Sequence, residues 1–243
     1  MSRGKPFDER SALAHEQRGR LLRLLIPDLK PHIARQERAT VRSKCVLAAA
    51  ELQQALKLGS KSSQLFDDFG AVLEMAGLPR EAIDAYTQGL EIAPRDVKLL
   101  IKHGWALAAL QQYDKAQDDF ARVIDDHPGH AEAHAGLGYV HACRNRNAEA
   151  QREANLALLH GAGDYLVLHN IACIYAELSA VDNPRLQEYQ NLALDELGRA
   201  VELWKREPAT LDEQELIEGE SAFRPSLRAR PEFQRLLRPL KSK

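Results

Sequence analysis

Cysteine and aromatic residues are both scarce in this sequence. Three cysteines, Cys45, Cys143 and Cys173, are spread over 243 residues, and no CxxC pair occurs. The sequence therefore lacks the signature of a disulfide framework or of a zinc module. Aromatic residues make up only 6% of the chain, which suits a helical core of alanine and leucine better than a sheet.

Long apolar runs and catalytic motifs are also absent from the sequence. No run approaches the length of about 20 apolar residues that a membrane-spanning helix needs. The N-terminal stretch MSRGKPFDERSALAHEQRGR carries charge but has no apolar segment behind it, unlike a secretory signal. No nucleophile–base motif, phosphate loop or glycine-rich fingerprint is present. We therefore predict a cytoplasmic, non-enzymatic protein that uses no cofactor.

The net charge of −2 conceals an uneven distribution along the chain. Residues 1–44 and residues 221–243 each carry a net charge of +6, whereas residues 45–220 carry −14. Basic ends are compatible with an anionic partner that binds there. We favour an intramolecular interpretation, in which the basic end segments lie against the acidic middle of the chain.

One stretch, residues 63–94, predicts a complete helical hairpin and reads SQLFDDFGAVLEMAGLPREAIDAYTQGLEIAP. Apolar or small residues follow the i, i+3, i+4, i+7 spacing of one helix face at Phe66, Phe69, Gly70 and Leu73. The sequence Ala-Gly-Leu-Pro at 76–79 marks the turn, where glycine can end one helix and proline can begin the next. Because a hairpin this short cannot bury its own apolar face, it must stack on a copy of itself.

This stretch resembles a tetratricopeptide repeat (TPR), whose usual pattern is W-x2-L-G-x2-Y, then an alanine, an aromatic residue and a closing proline. The matching residues, in order, are Phe66, Phe69, Gly70, Leu73, Ala82, Tyr86 and Pro94. The resemblance implies an all-α fold, a TPR-type right-handed superhelical solenoid of antiparallel helix pairs.

Copies of the pattern follow at a step of 34 residues. The second repeat has Gly104, Ala116, Phe120 and Pro128, and the third has Leu137, Gly138, Ala150 and Ala157. His134 departs from the pattern, because it sits where a large apolar residue is usual. The fourth repeat has Leu168, Ile171, Ala172 and Tyr175, and its second helix matches at Ala193, Leu197 and Ala200. That match requires an insertion of about nine residues in the turn around 179–185, and insertions belong in loops.

Three segments are predicted from these repeats. Residues 1–62 form an N-terminal helical cap and degenerate repeat, with helices near 9–26 and 32–58 and with Gln36 where Gly70 would recur. Residues 63–209 form the solenoid of about four repeats. Residues 210–243 form a C-terminal capping segment, with a short helix near 211–218 and a closing helix from Pro231. This segment contains LRARPEFQRLL and resembles the LR-x-x-P-x-F-x-x-L segment that caps the last repeat of many bacterial TPR arrays. The resemblance implies that its apolar side chains plug that repeat: Phe223, Leu227, Phe233, Leu236 and Leu237.

The TPR resemblance implies that the first helix of each repeat lines a concave peptide-binding groove. The predicted groove residues are Asp67, Ala71, Ile101, Lys102, Trp105, Ala135, Tyr139, His169, Asn170 and Cys173. Trp105 and Tyr139 are predicted to be neighbouring anchors, because aromatic residues dominate interface hot spots. The alternative is that the terminal helices fold into the groove and cover both.

The predicted groove does not match the TPR domains that hold the C-terminal carboxylate of chaperone tails. Such domains resemble one another in a set of groove residues, Lys/Asn/Asn/Lys/Arg. In this sequence only Lys102 or Asn170 suits that set, so we predict no carboxylate clamp. The acids of the groove, Asp67, Glu74, Glu132 and Glu177, instead predict a ligand with a hydrophobic anchor and some positive charge. Other acids, at 118–119 and 125–126, are interpreted as a solvated convex face.

A metal-binding triplet is conceivable but is not predicted. His169 and Cys173 are spaced i, i+4 on one helix, and Cys143 is expected across the groove from them. Chance supplies such a set in a helical chain with nine histidines, so we predict no metal site.

The sequence thus predicts a protein–protein interaction scaffold that binds a peptide segment or partner protein of unspecified identity in the groove. An alternative is an adaptor for nucleic acid or another anionic partner, acting through Arg18, Arg20, Arg23, Arg35, Arg38 and Arg42. Because that stretch lacks interleaved aromatics, we favour a protein partner over nucleic acid, and we expect no membrane partner. Self-assembly through incompletely capped ends is a further alternative.

Overall fold

The computed structural model describes residues 9–24, 35–179, 184–206 and 217–237, and this part of the chain is helical without a strand. The helices are α1 (Glu9–Leu24), α2 (Arg35–Lys57), α3 (Ser63–Met75), α4 (Pro79–Ile92), α5 (Val97–Ala109), α6 (Tyr113–Asp126), α7 (Ala131–Cys143), α8 (Asn147–Gly161), α9 (Tyr165–Leu178), α10 (Leu186–Arg206), α11 (Pro225–Arg228) and α12 (Pro231–Leu237). The chain divides into two compact units, residues 1–110 and residues 111–243, which are described separately. The three predicted segments remain a prediction.

Helix boundaries repeat with the same 34-residue step as the sequence pattern. The first helix of each repeat begins after a residue whose side chain accepts a hydrogen bond from the backbone of the first turn: Ser62, Asp96, His130 and Asp164. The turns to the second helices use positive φ at Gly77 (76°), Gln111 (59°) and Asn145 (59°). One backbone conformation is therefore used at every regular turn, even where glycine is absent.

The first helix pair of unit 1 corrects the predicted register of the degenerate repeat. Helix α1 packs on α2, and a Cβ added at Gly19 would lie only 2.5 Å from Leu52. Gly19 is therefore the small residue of this pair, rather than the residue that the 34-residue step places there, Gln36. Gln36 lies in the first turn of α2, on the other helix of the pair. The predicted break at Pro27 and Pro31 lies outside the described residues.

The predicted hairpin at 63–94 is present as α3 and α4, and glycine sets its spacing. A Cβ at Gly70 would lie 2.3 Å from the ring of Tyr86, which is fully buried. The Tyr86 hydroxyl donates a hydrogen bond of 2.7 Å to Glu74. A Cβ at Gly89 would likewise meet Leu99 at 2.9 Å, so the next helix, α5, also approaches closely.

Two adjacent buried acids on α3 tie it to helices on either side. Asp67 accepts from Lys98, at 2.7 Å, and from Lys102 of α5. Asp68 accepts from two arginines of α1, Arg20 at 2.7 Å and Arg23. Burial alone would raise the pKa of Asp67, but the hydrogen bonds from Lys102 and Lys98 outweigh it and hold that pKa below its ordinary value.

In unit 2 the core runs through α7, α8, α9 and α10 into the C-terminal segment. A Cβ at Gly136 would lie 2.4 Å from the buried ring of Phe120 on α6. The longer connection between α9 and α10 confirms the insertion expected around residues 179–185; residues 180–183 lie outside the described chain. His134, at an apolar position of the pattern, is buried and satisfied, because it bonds Glu153 at 2.7 Å and the carbonyl of Pro128 at 2.8 Å.

The predicted closing helix from Pro231 is confirmed as α12. Four of the five predicted plug side chains are buried, namely Phe223, Leu227, Phe233 and Leu237, and Leu236 packs against them partly buried. The Arg228 guanidinium donates to the carbonyls of Ile217, Glu218, Glu220 and Phe223. The predicted helix at 211–218 lies mostly outside the described residues, and only 217–219 are seen as helical.

Replacing a helical glycine by alanine should change the free energy of unfolding in opposite directions at Gly70 and Gly198. Gly70→Ala should lower the free energy of unfolding by about 1–3 kcal/mol, because the added methyl overlaps the Tyr86 ring. Gly198→Ala, on α10, meets only Leu236 at 3.5 Å and should raise it by up to about 1 kcal/mol through helix propensity. Urea denaturation followed by circular dichroism measures both values, and equal effects would contradict this account of the close helix approach.

Removing the charge of Asp67 should destabilise the protein in a pH-dependent way. Asp67→Asn should lower the free energy of unfolding at neutral pH by about 1–3 kcal/mol, because Lys102 loses its buried partner. The lowered pKa of Asp67 means that its contribution is complete above about pH 4 and is lost as the pH falls through the folded-state pKa. Urea denaturation across this range should show the variant converging on the wild type in acid. Asp84→Asn, an exposed position on α4, is the control and should change little.

Candidate functional site

All ten predicted groove residues lie on first helices, but most of them are not accessible to a ligand. Asp67, Ala71, Ile101, Ala135, His169 and Cys173 are buried. Lys102, Trp105, Tyr139 and Asn170 are partly exposed. The residues up to Trp105 belong to unit 1 and the rest to unit 2, so the structure presents two faces, and the pairing of Trp105 with Tyr139 stays a prediction.

On the unit 1 face, charge is neutralised within the protein. Asp67 is 2% exposed and is paired with Lys98 and Lys102. Burial lowers the pKa of Lys102, and the bond to Asp67 opposes that shift. The expectation that Asp67 would attract a positively charged ligand is therefore wrong, because two lysines of the same chain already satisfy it. Trp105 lies on α5 beside this set and is partly exposed.

On the unit 2 face, the C-terminal segment lies against α9. The ring of Phe223 meets His169 edge-on with centroids 5.6 Å apart. Arg224 donates to Glu177 at 3.2 Å, so a second predicted groove acid has an intramolecular partner. Tyr139 is partly buried against the same core cluster. The C-terminal segment thus covers part of the α9 face, and the alternative in which terminal helices cover Trp105 and Tyr139 stays a prediction.

Tyrosine and cysteine side chains meet beside α9. The hydroxyl groups of Tyr113 and Tyr139 lie near the Cys143 thiol and interact with it electrostatically. Burial, followed by the charge of Glu177, raises the pKa of that thiol. Burial and the contact with Cys143 raise the pKa of Tyr113 to about 12. These groups therefore stay protonated near neutral pH, and their chemistry is hydrogen bonding rather than nucleophilic attack.

His169 and Cys173 are joined by a residue that sequence analysis did not select. Each of His169, Cys173 and Glu220 offers one ligand atom, and these three atoms lie within 4.8 Å of one another. The i, i+4 spacing identified the first two. Glu220 could not be found from the sequence, because its segment follows no repeat and reaches α9 only through the fold.

The charged ends pair within the chain as expected, and the surface acids depart from expectation at one residue, Asp119. Arg20 and Arg23 pair with Asp68, and Arg224 pairs with Glu177, in agreement with the intramolecular interpretation of the basic ends. Asp119, assigned to a solvated face, is buried and lies 3.7 Å from Arg122. Asp118, Asp125 and Asp126 are exposed as expected.

No helix within the described ranges combines the length and apolar character that crossing a membrane requires.

Comparison with known proteins connects this chain to solved structures only. No protein-family model matches the sequence, and no curated protein matches it. A thermophilic TPR protein of Thermus thermophilus superposes with a TM-score of 0.58 at 15% identity, covering 82% of this chain and 94% of that one. YrrB, a TPR protein, gives 0.53 at 18% identity, covering 84% and 91%. The pilF protein of Pseudomonas aeruginosa gives 0.54 at 16% identity, covering 93% and 96%.

The 34-residue step of the turns, the glycine–aromatic helix contacts and the likeness to these solved structures agree. This chain has the all-α fold of tetratricopeptide repeat proteins.

Proposed function

We propose that the protein is a non-enzymatic interaction scaffold that binds an extended segment of a partner protein on the faces of its first helices. One observation carries the proposal: the face of α9 holds a segment of its own chain. That segment inserts one aromatic side chain, Phe223, beside His169 and makes one ion pair, Arg224 to Glu177. A surface that holds its own segment in this way has the apolar and charged groups that recognise a foreign one.

The partly exposed aromatic residues are the proposed anchors for that partner. Trp105 on α5 and Tyr139 on α7 occupy equivalent positions, 34 residues apart. Neither is required by the glycine–aromatic contacts that hold the helix pairs together. Large aromatic side chains contribute much contact area at low conformational cost. Because Asp67 and Glu177 are already paired within the chain, apolar contact rather than acidic attraction is proposed to dominate recognition.

A solved structure with this fold supports the proposal. The YrrB structure is described as that of "a TPR protein with an unusual peptide-binding site". At 18% identity this likeness does not transfer a ligand, but it is compatible with the use of the fold proposed here.

The alternative partner, nucleic acid or another polyanion, gains no support from the described residues. Arg20 and Arg23, two of the arginines on which it depends, are bound to Asp68. The proposed function is therefore the binding of a protein partner.

Replacing both proposed anchors should abolish capture of the partner. The Trp105→Ala, Tyr139→Ala double variant should fold, and it should lose at least 90% (roughly tenfold or more, for two hot-spot residues) of a protein that wild type captures from the native lysate. Affinity capture read by quantitative mass spectrometry measures this loss.

A matched variant removes two exposed apolar side chains from second helices instead. The Ile92→Ala, Leu159→Ala double variant, at positions 47% and 73% exposed, should capture the same protein as wild type. Equal capture by all three proteins would place recognition away from the first helices and contradict the proposal. Loss with the control alone would do the same.

A further inference from the structure

We propose that His169, Cys173 and Glu220 form a binding site for a zinc ion, which fastens the C-terminal segment to α9. The three ligand atoms lie within 4.8 Å of one another. His169 and Cys173 are 3% exposed, and Glu220 is partly buried. Two ligands come from one helix and the third from a segment that lies 47 residues beyond Cys173 in the sequence. The site is independent of the proposed partner binding.

The spacing of the ligand atoms is close to what a tetrahedral ion requires. Bonds to zinc of about 2.0–2.3 Å place neighbouring ligand atoms about 3.3–3.8 Å apart. Side chains whose ligand atoms already lie within 4.8 Å need to close by about 1 Å, which is within rotamer adjustment.

Contacts within the protein orient two of the three ligands, His169 and Glu220. His169 and Cys173 project from the same face of α9, one turn apart, and the Phe223 ring packs edge-on against the imidazole. Glu220 accepts a hydrogen bond of 2.9 Å from the backbone N–H of Ala222. A carboxylate has about four lone-pair positions, so this bond orients the group and leaves capacity for a metal. Such outer contacts are typical of metal ligands.

The chemistry of the set selects the kind of ion. A thiolate and an imidazole favour zinc over calcium or magnesium, which prefer oxygen ligands only. A zinc ion with one thiolate, one carboxylate and a neutral imidazole forms a complex of zero net charge, which suits a buried position. Water completes the four ligands, because the nearby Cys143 thiol is engaged by Tyr113 and Tyr139.

Metal binding would change how firmly the C-terminal segment is held. Without the ion, the segment is attached to α9 by the Phe223 packing and the Arg224–Glu177 pair. With it, a direct coordination link joins Glu220 to the helix. Since the ion needs all three ligands in the folded arrangement, its binding free energy stabilises that arrangement.

Cobalt titration of the full-length, tag-free, chelator-treated protein tests the site. Wild type should bind one equivalent of Co²⁺ with a thiolate-to-cobalt charge-transfer band, and Zn²⁺ should displace it. Cys173→Ser should lose the band, and Glu220→Gln should weaken binding at least about tenfold. Cys45→Ser, which removes a buried cysteine of unit 1, is the matched control and should retain the band.

A second readout guards against variants that fail to fold. At the same zinc concentration, the metal should raise the melting temperature of wild type more than that of Glu220→Gln, whose altered side chain is only partly buried. The proposal is overturned if wild type shows no charge-transfer band with excess Co²⁺, if the band survives in Cys173→Ser, or if zinc raises the melting temperature of both proteins equally.

Discussion

Close approach of paired helices is the constraint on which the rest of this structure depends. A glycine on one helix faces a large side chain on its neighbour at Gly19 and Leu52, at Gly70 and Tyr86, and at Gly136 and Phe120, and in each case a Cβ would lie within about 2.5 Å of that side chain. The glycine leaves the space, and the large residue fills it. Ion pairs add links between helices that these glycine contacts do not join, because Asp67 and Asp68 of α3 bind side chains of α5 and α1.

The faces of the first helices hold other parts of the same chain, and they are also the proposed surfaces for a partner. In unit 1, buried acids on α3 hold lysines of α5 and arginines of α1. In unit 2, α9 holds the C-terminal segment by an aromatic contact and by the Arg224–Glu177 pair. Much of the charge that would suit a ligand is thereby used inside the protein. Trp105 and Tyr139 are partly exposed aromatic residues on these helices, and the proposed recognition through them is accordingly apolar.

The fold could be predicted from the sequence because its determinants are local and periodic. Gly70, Tyr86 and the turn at 76–79 repeat at a fixed step, and the turns confirm that step at Gly77, Gln111 and Asn145. In the degenerate repeat the small residue is Gly19, which a fixed step of 34 residues back from Gly70 does not reach. The partners of Asp67 and the place of Glu220 could not be predicted. They depend on contacts between distant segments that leave no periodic trace.

Helix α9 holds the segment containing Phe223 and Arg224. Hydrogen–deuterium exchange read by mass spectrometry, comparing wild type with the Phe223→Ala, Arg224→Ala variant, tests this attachment. We expect slow exchange of residues 217–228 in wild type, faster exchange there and in α9 in the variant, and unchanged exchange in α3 and α4 of unit 1. Exchange of residues 217–228 at the rate of an unstructured peptide in wild type would contradict it.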